Sequence, residues 1–188
     1  MTDTILEKFV KILCGTLDNK AQVDQELADG NQVHPYAKHV TAVCDHKIIN
    51  RPKVHEGLYI LEESYYTYPG KELDIKPLLF HLRSDGNKVL LNSVQIPVHL
   101  KKADVINANE SLVLDWNELE LRPFGTAEYM YHEEGHFTVD HEADMGDGLT
   151  FRLIETLSMD GLDVMELVHK NGVKLTPYDT PILYRRVV

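Results

Sequence analysis

Two hydrophobic periods follow one another along this chain, and the change between them divides it. Ile5, Phe9, Ile12, Leu13 and Leu17 recur at helical spacing and draw one apolar stripe. Thr4-Ile5-Leu6-Glu7 has capping-box spacing, so its hydroxyl and carboxylate can satisfy the first free amides. This helix is expected to stop between Gly15 and Leu17. Asp18 then N-caps a second, weaker helix through Ala28, which Gly30 ends, and His34-Pro35 closes the helical region.

From Lys38 the period becomes two. KHVTAVCDHKII reads as a strand, followed by a turn at Asn50-Arg51-Pro52. The most informative strand is Gly57 to Thr67, GLYILEESYYT, which ends at Tyr68-Pro69-Gly70. Leu58, Ile60, Glu62, Ser64 and Tyr66 share one face; Tyr59, Leu61, Glu63, Tyr65 and Thr67 share the other. Its aromatic and branched residues fit an internal strand. KPLLFHLR and KVLLNSVQIP flank Ser84-Asp85-Gly86-Asn87 as a hairpin. Lys101 to Glu110 reads as a loop and SLVLDW as a short strand. TAEYMYH and HFTVDHE flank Glu133-Glu134-Gly135 as a second hairpin. LTFRLIETLS, LDVMELVHK and PILYRRV complete the series.

About ten short strands joined by tight turns predict an up-and-down antiparallel barrel, with a two-sheet sandwich as the alternative. The barrel is preferred because a meander closes on itself and the N-terminal helix can plug one end. The chain is read as one domain, 1–188, with a helical segment over 1–36 and the barrel over 37–188. In a barrel, one of the adjacent residues Glu62 and Glu63 must point inward. A carboxylate inside such a wall is costly unless partnered. Alternation alone does not say which one it is, since a bulge reverses the assignment.

Composition narrows the partners. The 188 residues carry a formal charge of −11, which disfavours nucleic acid and anionic membranes, both polyanions. Two cysteines, Cys14 and Cys44, suggest neither a disulfide framework nor a zinc cluster. The acidic opening MTDTILEKFVKIL lacks a basic n-region, and no apolar run approaches a membrane span. A cytoplasmic protein is expected.

Candidate chemistry is sparse. His132-Glu133-Glu134-Gly135-His136 matches H-E-x-x-H, but its flanks alternate as strands, so it reads as a polar hairpin tip. Asp140, Glu142, Asp144 and Asp147-Gly148 fail the calcium-loop pattern. The ten histidines are scattered, with His39 a candidate for a paired site on a strand face. No catalytic residues, metal ligands or cofactor are assigned. What remains is the aromatic content of the strands. Tyr59, Tyr65, Tyr66, Tyr129, Tyr131, Tyr184 and Trp116 can line a cavity, or serve as ordinary half-buried strand residues.

Two short segments carry a resemblance. Leu13-Cys14-Gly15-Thr16-Leu17-Asp18-Asn19-Lys20-Ala21-Gln22 and Tyr59-Ile60-Leu61-Glu62-Glu63-Ser64-Tyr65 resemble motifs of the CpcT/CpeT phycobiliprotein chromophore lyases, an L-x-G-x-x-x-N-x-x-Q segment and a Y-x-x-E-Q-like strand. The resemblance implies a calycin- or lipocalin-like barrel, often dimeric, that binds an open-chain tetrapyrrole for attachment to a cysteine of a phycobiliprotein subunit. It places Gly15, Asn19 and Gln22 on the helical motif and Glu62 and Tyr65 on the strand motif, with Glu63 replacing the usual amide. The family's arginine-rich next strand reads Pro77-Leu78-Leu79-Phe80-His81-Leu82-Arg83 here, leaving Arg83 as its cation. The expected ligand-binding set is therefore Glu62, Glu63, Tyr59, Tyr65, Asn19, Gln22, Arg83, Trp116 and Tyr129. The alternatives are a barrel binding another small hydrophobic ligand, such as a haem or fatty acid, and a homodimeric structural protein with a filled interior.

Overall fold

The computed structural model describes residues 4–68 and 70–187; Pro69, in the turn expected at Tyr68-Pro69-Gly70, and positions 1–3 and 188 lie outside the described residues. Helix α1 (Ile5–Leu13) begins as its spacing predicts. Glu7 N–H donates to Thr4 Oγ1 at 3.2 Å, and Thr4 N–H donates to the Glu7 carboxylate at 2.7 Å. The helix stops at Leu13, because Gly15–Asp18 is extended as strand β1. Gly15 has φ 122°, and a Cβ there would stand 2.7 Å from Arg186 Nη1. The Arg186 guanidinium occupies that space and donates to the carbonyls of Ile12 and Cys14, satisfying acceptors that the helix end leaves free. Helix α2 (Lys20–Ala28) follows, with Asn19 and not Asp18 at the N-cap position. The N-terminal segment thus contributes a barrel strand as well as two helices.

The remaining strands are β2 (Tyr36–Val43), β3 (Ile48–Ile49), β4 (Leu58–Thr67), β5 (Asp74–Asp85), β6 (Lys88–Gln95) and β7 (Leu114–Asp115). They continue with β8 (Glu120–His132), β9 (His136–Asp144), β10 (Leu149–Ser158), β11 (Gly161–Lys170), β12 (Val173–Lys174) and β13 (Ile182–Arg186). Set aside β3 and β7, which pair with each other in parallel, and β12, an appendage of β11. The other ten form a closed antiparallel barrel in chain order, with β13 returning to β1 through Leu17 opposite Arg186. This is a calycin-like up-and-down barrel. Closure pairs the strand edges that an open sheet would leave free.

Helix α1 seals one end. The Phe9 ring meets Tyr129 and Phe137 edge-on, at centroid distances of 4.9 and 5.0 Å. That end is solid: Leu17, Leu82, Val89 and Leu157 are fully buried around it. Each such side chain contributes about 1.5–3 kcal/mol of burial free energy.

A second core lies outside the barrel. Val105, Leu112 and Leu114, from the excursion between β6 and β8, pack on Leu61, Leu79 and Val94 from the outer face of β4, β5 and β6. Tyr59 joins them, edge-on to Trp116 at 5.7 Å. Strand β4 is consequently buried on both faces from Tyr59 to Ser64.

Candidate functional site: an acidic lumen

Away from α1 the barrel is hollow. The cavity has a volume of about 290 Å³ and opens at the end opposite the helix. Its wall is largely apolar and aromatic, with Leu78, Phe80, Leu91, Phe124, Phe151 and Leu153 among its residues. Set into that wall are three glutamates and two histidines, His39 and His141, the second bonded through Nε2 to the Phe124 carbonyl at 2.6 Å. Glu62 follows Ile60 on the inward face of β4; Glu155 follows Leu153 on β10; Glu166 follows Val164 on β11. His39 enters from β2, whose Ala37, His39 and Thr41 face the interior.

Glu62 accepts hydrogen bonds from Ser64 Oγ at 3.0 Å and Thr41 Oγ1 at 3.4 Å. Tyr129 donates its hydroxyl to Glu155 Oε2 at 2.5 Å. By surface area Glu155 is half-buried and Glu166 exposed, and both line the lumen, whose apolar walls crowd water away from them. Burial pushes Glu155 up to about 8, partly opposed by the Tyr129 hydrogen bond, and the Glu62 and Glu166 charges raise it further. Glu166 is also raised, chiefly by burial and then by Glu62, while His39 and Lys76 act against the rise.

His39 is less than a tenth exposed, and neither of its ring nitrogens has a hydrogen-bond partner. Its ring packs on Tyr184 at a centroid distance of 4.2 Å, and its Nδ1 stands 3.6 Å from Glu62 Oε1. A neutral imidazole offers one donor and one acceptor, so an unpartnered buried ring is costly until something fills the lumen.

Two cations stand at the mouth. Lys76 Nζ lies 4.9 Å over the Tyr66 ring, and Arg122 lies 4.3 Å over Phe124. Arg122 and Phe124 reach the lumen through an irregularity in β8. Asn92 pairs with Thr126, but Val94 pairs with Leu121, so β8 carries extra residues opposite Ser93. Gly125, at φ 73°, sits within them. Beyond it the inward positions change from Ala127 and Tyr129 to Arg122 and Phe124.

Of the residues singled out from sequence, the structure brings Glu62, Tyr129, Tyr66 and His39 together in the lumen. Glu63 faces the other way and is buried beneath the β6–β8 excursion. It accepts from Asn107 N–H at 2.7 Å, from Asn107 Nδ2 at 2.8 Å and from the Tyr65 hydroxyl. Tyr59 and Trp116 belong to the outer core, and Arg83 projects from the outer face of β5 beside Gly57. Asn19 and Gln22 hold backbone together. Asn19 Nδ2 donates to Pro35 O at 2.9 Å, and its Oδ1 accepts from Ala37 N–H at 2.7 Å. Gln22 donates to Pro181 O at 2.9 Å and accepts from Leu183 N–H at 3.0 Å, bracing α2 against the strand that closes the barrel.

Glu155, Glu166, Arg122 and Phe124 were not singled out from sequence. The signal for the first two was present: LTFRLIETLS and LDVMELVHK each place one glutamate in register with buried aliphatics. The sequence signal for Arg122 and Phe124 was Gly125, a glycine inside a strand.

Burial pushes the Cys14 thiol up to about 11 and the Cys44 thiol up to about 12, so neither is an activated nucleophile. His132 and His136 flank a hairpin tip as expected, with their rings stacked at 4.5 Å. Among the described residues, no group of three His, Cys, Asp or Glu side chains is placed to hold a metal ion, and no helix is long and apolar enough to cross a membrane. What the arrangement can do is hold a small guest against carboxyl groups set in an apolar and aromatic wall. No family model matches the chain, and no curated protein matches it significantly.

Proposed function

We propose that this protein is a carrier that holds a small, mostly apolar molecule in its barrel lumen and fixes the polar end on Glu62, Glu155 and Glu166. The observation that carries this reading is the pairing of an open 290 Å³ cavity with a buried, unpartnered His39 among those carboxyls. A filled interior would have left neither the space nor the unmet polar groups. At about 30 Å³ per water, the cavity has room for on the order of ten waters or a comparable number of ligand atoms. The test is native mass spectrometry of the purified protein beside Leu153→Trp, which fills the lumen. A non-covalent guest on the parent that is lost from the variant is the expected result. A protein that carries nothing, or a guest retained by the variant, contradicts the reading.

The resemblance to chromophore lyases supports a narrower version in which the guest is an open-chain tetrapyrrole bound for a phycobiliprotein cysteine. One feature favours it: Glu62 can accept from pyrrole N–H groups inside, while Lys76 and Arg122 at the mouth can meet propionates. A tetrapyrrole exceeds the cavity, so part of it would extend past those cations. The two thiols, held protonated, leave transfer to proceed by positioning and without a thioether to this chain. Phycocyanobilin mixed with the protein should show a shifted, intensified absorption band; an unchanged free-pigment spectrum would exclude the pigment and leave the carrier. A homodimer, also implied by the resemblance, would appear as a doubled mass in light scattering.

A further inference from the structure

The lumen also carries information about the charge of its guest. This inference rests on the carrier reading above and deepens it. We infer that the guest's buried end is a protonated nitrogen: the lumen binds a compact arylalkyl ammonium ion, with Glu62 and Glu166 as counter-charges and His39 as a hydrogen-bond acceptor.

Four observations lead there. Three carboxyl groups line the cavity against one lining guanidinium, Arg122, while Lys76 stands over the Tyr66 ring with half of its side chain in solvent. A carboxylate guest would therefore meet charges of its own sign along the wall. Second, His39 is at least nine-tenths buried with both nitrogens unpartnered, and its Nδ1 lies a few tenths of an ångström beyond hydrogen-bond reach of Glu62. If that short gap closes, the donor is spent on Glu62 and the other nitrogen is left as an acceptor, which suits an N–H guest. Third, Tyr66, Phe80 and Phe151 present rings to the same space, and aromatic faces attract an ammonium ion more strongly once water is excluded. Fourth, among the described residues no three potential ligands are placed around one metal-sized point, so the acidic wall suits a larger and softer cation.

The carboxyl groups also predict how uptake is coupled to protons. Glu155 is held protonated near neutrality by burial and by the fields of Glu62 and Glu166, with Tyr129 bonded to it. An ammonium ion brought beside them reverses the balance of charge and lowers the proton affinity of the group. One proton leaves Glu155 for solvent as the cation enters, and no covalent bond changes.

The experiment is isothermal titration calorimetry at pH 7.5 with three matched probes: 2-phenylethylamine, 2-phenylethanol and 3-phenylpropionate. The amine should bind roughly tenfold or more tightly than the alcohol, as a charge-assisted hydrogen bond requires, and the acid most weakly. In buffers of different ionisation enthalpy the amine alone should show proton release, and Glu155→Gln should abolish that release; release undiminished in the variant would overturn the proton coupling. Equal affinities for the three probes, or a preference for the acid, would overturn the ammonium assignment and leave the carrier standing. Failure of all three to bind would overturn the carrier reading with it. Glu166→Gln should weaken the amine and leave the alcohol unchanged; equal weakening of both would mark Glu166 as structural and overturn its role as counter-charge.

Discussion

His39 Nδ1 and Glu62 Oε1 face each other across two neighbouring strands at 3.6 Å, just too far apart to share a proton. A folded chain does not bury an imidazole with both nitrogens idle unless something else uses them. The pair marks the deep wall of the lumen as a place prepared for contact with a guest.

Replacing that ring with one that has no polar atoms separates folding from binding. His39→Phe keeps the packing on Tyr184 and removes two unmet polar atoms. It should raise unfolding free energy by about 1 kcal/mol in urea titrations while weakening the lumen ligand. A loss of stability would show that His39 is held by partners in the native state.

The adjacent glutamates of β4 should behave oppositely. Glu63→Ala leaves the half-buried Asn107 N–H and Tyr65 hydroxyl without their acceptor, while Asn107 Nδ2 keeps the Val40 and Leu61 carbonyls, and should cost on the order of 2 kcal/mol in denaturant titrations. Glu62→Gln should lower ligand affinity more than stability. The reverse ranking would assign Glu62 to the framework.

Glu155 makes stability depend on pH in a defined direction. Its folded-state value, about 8, lies above its ordinary value of 4.5, so between these the native state keeps a proton that the unfolded chain has released. The corresponding stability is fully present below about 4.5 and is lost as pH rises through about 8. Glu166 shifts the same way and adds to the slope. Melting curves from pH 5 to 8.5 should show a falling midpoint, and Glu155→Gln should flatten it. A midpoint that rises across this window would contradict the buried, protonated carboxyl.

Asn19→Ala should cost about 2 kcal/mol through its two lost backbone partners, while the folded fraction keeps its lumen affinity. Denaturation followed by ligand titration separates the two effects. An intact fold with impaired binding would return Asn19 to the ligand set.

The thiols should be slow. With both held well above neutral pH, native protein should resist iodoacetamide at pH 7.5 and label only on unfolding. Rapid native labelling of Cys14 would show an activated thiolate and reopen a covalent route.

The barrel was readable because its strands announce themselves by period and by turns such as Asp85-Gly86-Asn87. The short β1 was not, since Gly15–Asp18 follows a helical stripe whose Leu17 continues the α1 spacing. Within β4, Tyr59, Leu61 and Glu63 look like a second ligand face but pack under residues 105–114, a long-range contact that no local pattern encodes. Arg122 and Phe124 escaped for a related reason: the irregularity around Gly125 moves the inward register, and only the pairing of β8 with β6 reveals it. Of the residues that carry half of the resemblance, Gly15 and Gln22 turn out to secure the seam where β13 meets β1, and Asn19 ties the start of α2 to β2.

The most direct measurement is a crystal structure of the protein grown with 2-(4-bromophenyl)ethylamine, located by the anomalous signal of its bromine. Bromine density is expected inside the barrel among Phe80, Phe151 and Leu153, with the nitrogen in hydrogen-bond contact with Glu62 or Glu166. Bromine confined to the outer surface, with the lumen closed by its own side chains, would contradict the carrier reading.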